Sequence, residues 1–207
     1  MTAKIKLNAA SGGGSISIQA PSSSSNNRVI TLPDIADGTL LTSSSTTGKI
    51  LQVVQAVKTS TASTSTGVYN AITQLQPALT PNSASNKILV TLDLKFSFNN
   101  VNADINLKLF RSVGGSETQI YLGDTSSSRV RVFFGGENSG IADSNSMLPV
   151  SSTFLDSPNT TSEVTYLVKW AVQRGSTYTY INRTGTDTDN ADFPRSASSV
   201  TLMEVAA

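Results

Sequence analysis

The densest group of ligating side chains is Gly185-Thr-Asp-Thr-Asp-Asn-Ala-Asp192, where Asp187, Asp189, Asn190 and Asp192 fall between two β-prone segments. Hard oxygen donors at this density suit Ca²⁺. The spacing lacks the glycine and closing glutamate of an EF-hand loop. Asp and Asn also bend chains by hydrogen-bonding their own backbone, so the segment reads as a turn. Glu137 and Asp143, in the glycine-rich stretch 135–145, are the one acid pair that could serve glycoside hydrolysis. Nothing near them in sequence would bury one carboxyl and raise its pKa. The chain has no histidine and no cysteine, which removes Ser-His-Asp and Cys-His catalysis, imidazole- or thiolate-bound zinc, and disulfides. We expect no enzyme, no catalytic residue, no metal and no cofactor.

The remaining motifs are weak. Gly12-Gly-Gly14 lacks the lysine and Ser/Thr of a phosphate loop and reads as a hinge. Asn159-Thr-Thr161 and Asn182-Arg-Thr184 match glycosylation sequons by chance in an Asn- and Thr-rich chain. Charged residues are 14% of the 207 and the net charge is +1, below the roughly 25% charged residues of ordinary soluble domains. A surface so poor in charge gives little steering toward nucleic acid or an anionic membrane. No apolar run approaches the length of a membrane span, and the first residues lack the apolar core of a secretory leader. The expectation is a protein with no nucleic-acid partner and no membrane insertion.

The elements that would carry any site are strands. In residues 87–98, Ile88, Val90, Leu92, Leu94, Phe96 and Phe98 share one parity, while Thr91, Asp93, Lys95 and Ser97 share the other with Leu89. Strand side chains alternate between faces, so this is a long strand with one apolar row. Burying that row is worth about 9–18 kcal/mol as an upper bound. Residues 163–174 alternate nearly as well, with Val164, Tyr166, Val168, Trp170 and Val172 on one parity. They predict the strand packed face to face with the first, and place Trp170 in the core rather than on a sugar-binding surface. Further strands are predicted at 49–57, 67–72, 104–111, 118–122, 129–134, 146–155, 177–182 and 199–205, with 135–145 a long loop. Strands punctuated by Gly, Asn and Ser turns, without helical periodicity, predict an all-β antiparallel sandwich, jelly-roll-like.

Residues 1–48 differ in texture. Short β-prone pieces carrying Ile5, Leu7, Ile16, Ile18, Val29, Ile30 and Leu32 are separated by Gly- and Ser-rich links. Such pieces cannot fold alone, so they predict a stem or docking segment, with the Ser/Thr run before Gly48 as the boundary to a knob at 49–207.

Two passages carry a resemblance. Gly14-Ser-Ile-Ser-Ile-Gln-Ala-Pro21, Asn27-Arg-Val-Ile-Thr-Leu-Pro-Asp34 and Gly38-Thr-Leu-Leu-Thr42 resemble a segment near the start of short phage tail-fibre and virion surface proteins. Gly48-Lys-Ile-Leu-Gln-Val-Val-Gln55, Lys87-Ile-Leu-Val90, Thr153-Phe-Leu-Asp-Ser-Pro158, Tyr180-Ile-Asn-Arg183 and Ser198-Ser-Val-Thr-Leu-Met-Glu204 resemble the knob that follows it. The resemblance implies a non-enzymatic virion structural protein, assembled in the host cytoplasm and displayed on the virion surface. It implies a homotrimer, a tail fibre or spike that docks on other phage virion proteins through residues 1–48. Its knob would present loops containing Glu137, Asn138, Asp143, Asp187, Asp189 and Asn190 to a host surface glycan or protein. The absence of a long shaft also fits a capsid decoration or head-fibre protein, and a carbohydrate-binding, lectin-like module is the reading from another class.

Overall fold

The computed structural model describes residues 4–8, 11–19, 23, 50–138, 143–175 and 177–207. The chain divides into two compact units, Met1–Ser44 and Ser45–Ala207. In the first, β1 (Lys4–Asn8) and β2 (Ser15–Gln19) pair antiparallel, Ile5 opposite Ile18 and Leu7 opposite position 16. Gly12 and Gly13 sit at φ +84° and +73°, so the glycines read as a hinge form the turn of a hairpin, in a conformation that side-chain-bearing residues rarely adopt. Ile5, Leu7 and Ile18 are exposed. Val29, Ile30 and Leu32 lie outside the described residues.

The second unit is an all-β antiparallel sandwich. Its strands are β3 (Ile50–Lys58), β4 (Ala62–Thr64), β5 (Asn70–Ala71), β6 (Ala78–Leu79), β7 (Lys87–Phe98), β8 (Asp104–Val113), β9 (Ser116–Ile120), β10 (Phe134–Glu137), β11 (Leu148–Asp156), β12 (Val164–Ala171), β13 (Thr179–Ile181) and β14 (Ser198–Val205). Several are collinear pieces of one column. β13 and β14 share one edge of β7, β9 and β10 share one edge of β8, and β5 and β6 share one edge of β12. Counted as eight columns in chain order, one sheet runs first, eighth, third, sixth, and the other second, seventh, fourth, fifth. First pairs with eighth, second with seventh, third with sixth and fourth with fifth, as in one long hairpin rolled into two layers. This is the jelly-roll order.

β7 has the bounds and parity its sequence dictates: its six apolar side chains are all at most 1% exposed. β12 lies in the opposite sheet, and the Phe96 and Trp170 ring centroids are 6.0 Å apart inside the core. The predicted strand at 129–134 does not form. Arg131 Nε donates to Gly123 O at 2.7 Å and Gly123 N–H to Val132 O, which closes an irregular loop. The strand starts instead at Phe134 and runs through Gly135 and Gly136, inside the stretch expected to be loop. Gly135 belongs there because a Cβ would stand 3.1 Å from Ile105 O and 2.8 Å from Asn106 Oδ1.

Charged side chains close the rims of the core. Lys58, Asp104, Asp156 and Glu204 are buried, and each lies at or next to a strand end. Asp104 accepts the backbone N–H groups of Gln173 and Arg174 at 3.0 and 2.9 Å and so fixes the turn after β12. Lys58 Nζ donates to Ser60 Oγ at 2.9 Å, and burial holds its ammonium below the ordinary lysine range.

Candidate functional site

β7 spans the sandwich, which gives it two poles. The chain enters β3 at Ile50 and leaves β14 at Val205, and Val205 lies between Ile50 and Lys87. At the Phe98 end lie the turn 99–103, the described parts of the β10–β11 connection, and the described residues 172–175 and 177–178 after β12. The 183–197 excursion between β13 and β14 folds back over the outward side of β7 to join them. Ser97, placed on the outward parity by its sequence, is fully buried because its hydroxyl donates to Arg183 O at 2.6 Å under this excursion. Thr186 N–H donates to Ser144 O at 2.8 Å, so the two loops singled out from sequence meet.

Gly185 makes that meeting possible. A Cβ there would stand 2.0 Å from Phe98 O and 2.9 Å from Ser144 O, both backbone atoms. Gly185→Ala is expected to displace the excursion and cost about 1–3 kcal/mol, read as a lowered midpoint in thermal unfolding. A midpoint equal to that of the wild type would show that the loop does not need this approach.

The excursion surrounds a cleft of about 320 Å³ lined by Asp187, Thr188, Asp189, Asn190, Phe193 and Arg195. Asp187 is bracketed by two guanidinium groups, Arg195 Nη2 at 2.5 Å and Arg183 Nη1 at 3.3 Å. Asn190 shapes the turn: its N–H donates to Thr188 O, its side-chain oxygen accepts Asp192 N–H, and its carbonyl accepts Phe193 N–H. Among the described residues no three acidic side chains gather closely enough to hold a metal. The arrangement is a polar cleft with fixed donors, acceptors and one aromatic wall.

Arg183 also lies over the Tyr180 ring, 3.7 Å from its centroid, and Tyr178 runs parallel to Tyr180 at 6.2 Å. Tyr178 is exposed. A strip of two phenols and two guanidinium groups bridged by Asp187 thus borders the cleft. It was readable in principle: Tyr178 and Tyr180 occupy the parity opposite to the buried Thr179 and Ile181, which turns both rings outward.

The other loop behaves differently. Glu137 pairs with Arg174 Nη2 at 2.7 Å and lines a second cleft, of about 240 Å³, with Phe98, Ile105, Phe134 and Leu148. Asn138 is buried, its N–H on Ala103 O and its side-chain amide on Asn100 O, so it holds the loop rather than facing outward. Asp143 is exposed and accepts Asn145 N–H and the Ser146 hydroxyl, both at 2.9 Å. The Asn145 N–H and then the Ser146 hydroxyl hold its carboxyl below the usual range. Glu137 and Asp143 are engaged by different partners, and the low pKa of Asp143 is the reverse of what a general acid needs. Asn182, the acceptor of one sequon, is fully buried, with its amide donating to Lys58 O at 2.7 Å and its oxygen accepting the Ser198 hydroxyl at 2.6 Å.

No family model matches the chain, and the search of curated proteins finds no match. Among solved structures, the chain is similar to one from the structure of infectious bursal disease virus, Gx strain, at 11% identity and a TM-score of 0.32. The similarity covers 97% of this chain and 48% of that one, so the chain spans about half the length of its match. The identification of the fold rests on the strand order above and not on this likeness.

Proposed function

We propose that the chain is a non-enzymatic virion structural protein, a trimeric phage tail fibre or spike that displays receptor-binding loops. The observation that carries the reading is polarity. The first strand of the sandwich starts at the Lys87 end of β7, and the Asp187–Arg195 cleft and the loop around Ser144 converge at the Phe98 end. A sandwich whose first strand starts at one pole and whose recognition loops lie at the other suits display on a particle. The exposed apolar side chains of the β1–β2 hairpin, Ile5, Leu7 and Ile18, fit docking on another virion protein, since a lone hairpin is marginally stable. The resemblance of residues 14–42 and 48–204 to short tail-fibre proteins supports the same reading. On it, Asp187, Asp189, Asn190 and Arg195 meet a host surface glycan or protein.

Gold-labelled antibody against the sandwich should mark the tail tip of particles carrying this chain. Label spread over the head would overturn the tail reading in favour of capsid decoration. Purified chain should also block adsorption of those particles to host cells, and the Asp187→Ala/Arg195→Ala variant should lose at least tenfold in blocking potency. Equal potency would remove the cleft from the receptor surface.

A further inference from the structure

The outward face of the β3–β14–β7–β11 sheet bears an apolar row in register across four strands. Val53 lies opposite Met203, Met203 opposite Leu89, and Leu89 opposite Leu155. Ile50 and Val57 flank it on β3. Ile50 is 56% exposed, Val53 57%, Val57 49% and Leu155 49%. The next row, Gln55, Thr201, Thr91 and Thr153, is uncharged. Asp93 and Lys95 pair with each other, which leaves Lys87, at the end of β7 with its Nζ on Ser157 Oγ, as the one β7 charge on this face without an acidic partner. The outward side of the other sheet is different: Lys169 pairs with Glu117 and lies over Phe110, and Lys108 lies over Tyr69.

The edges differ in the same sense. Natural sheets blunt exposed edges with charge, proline or shortness. β5 and β6 have two residues each, and β11 carries its proline, Pro149, only near its start, six residues from Leu155. β3 has nine residues, no proline, and Lys58 as its one charge, which is buried. Four strands at ~4.8 Å and seven residues at ~3.4 Å make this face about 19 by 24 Å. That plane is roughly 460 Å², over half of the ~800 Å² one partner contributes to a standard interface, and side-chain relief and the two sheet edges add to it.

We propose that this face is where copies of the chain pack together, with the β3 edge of one copy against the β11 edge of the next. The proposal rests on the trimeric reading above. A threefold contact is heterologous, one surface meeting a different surface of the neighbour. The exposed apolar side chains divide accordingly, into Ile50, Val53 and Val57 at one edge and Leu155 at the other.

Light scattering on the full chain should give three copies for the wild type and one for Val53→Glu and for Leu155→Glu. Leu122→Glu, at an exposed apolar position outside these strands, should keep three. A monomeric wild type would overturn the trimer itself. A trimeric wild type with both glutamate variants still trimeric would overturn this face alone. Because the chain has no cysteine, Val53→Cys/Leu155→Cys gives a readout that does not depend on the charged variants folding. Within one copy these positions lie three strands apart, about 14 Å, beyond disulfide reach. Mild oxidation should therefore produce covalent trimers, and an unlinked chain under those conditions would count against the contact.

Discussion

Glu204→Ala is expected to destabilise the sandwich by about 4 kcal/mol at neutral pH, lowering the thermal midpoint by roughly 8–16 °C. Glu204 follows Val200 and Leu202 on the inward parity of β14 and is fully buried. Four N–H donors converge on its carboxylate: Asn82 N–H at 2.7 Å and Asn86 Nδ2 at 2.6 Å on Oε1, with Gln52 Nε2 at 2.6 Å and Asn82 Nδ2 at 2.8 Å on Oε2. The cluster ties β3 and the loop before β7 to the last strand. Alanine would leave the buried Asn86 amide without its acceptor and the Asn82 donors unmatched, while Gln52 keeps Thr80 O, and an unmade buried bond costs more than a made one returns. The same geometry sets a pH dependence. Burial alone would raise the pKa of Glu204, but the donors from Asn86, Gln52 and Asn82 outweigh it and hold the carboxyl below 4.5. A carboxyl with a depressed folded pKa contributes stability that is complete above its unfolded value. That contribution is lost as pH falls through the folded value. Wild-type stability should therefore decline below about pH 4.5 more steeply than that of Glu204→Gln, which keeps one acceptor but cannot titrate. Unfolding in urea at pH 7 and pH 3.5 checks this: parallel losses in the two proteins would remove the carboxylate from the acid response.

Glu204 also marks the limit of what alternation reveals. Period-two patterning defined β7 to the residue and the partnership of β7 with β12, because six apolar side chains on one parity leave a single way to bury them. The same logic misplaces charged residues. Glu204 and Lys58 sit on the inward parity of β14 and β3, where a count of apolar side chains expects hydrocarbon. The burial of Glu204 depends on amide and backbone groups more than a hundred residues away in sequence, and that of Lys58 on the Ser60 hydroxyl two residues on. Ser97 fails in the opposite way, since its outward parity was right and an excursion nearly ninety residues later covers it. The strand through Gly135 and Gly136 was missed because glycine weakens a strand in isolation. Only the close approach of β8 to this backbone explains it. At the candidate site, the turn chemistry of Asp187, Asp189 and Asn190 was legible. The guanidinium groups of Arg183 and Arg195 around Asp187 were not, because the bridge between positions 183 and 195 that opposes them leaves no periodic signal.

Asp156→Ala is expected to cost about 3–5 kcal/mol, because it strands a cation at the rim of the core. Asp156 ends β11 in one sheet, while Arg111 and Tyr166 are cross-strand neighbours in the other. Both Asp156 oxygens lie 2.8–2.9 Å from Arg111 Nη1, and the Tyr166 hydroxyl donates to Oδ2 at 2.7 Å. Burial, and then the neighbouring Asp156 charge, push the phenol far above its ordinary range, so it remains a donor at any pH the fold survives. Tyr166→Phe removes one donor and no charge, and should cost about 1–2 kcal/mol. Arg111→Met alone leaves a buried carboxylate with one donor, whereas Arg111→Met/Asp156→Leu leaves no charge. The double variant should therefore be more stable than either Asp156→Ala or Arg111→Met. Additive losses in that cycle, read from denaturant midpoints at constant m-value, would show that the two sheets are held at this rim by apolar packing and that the triad only decorates it.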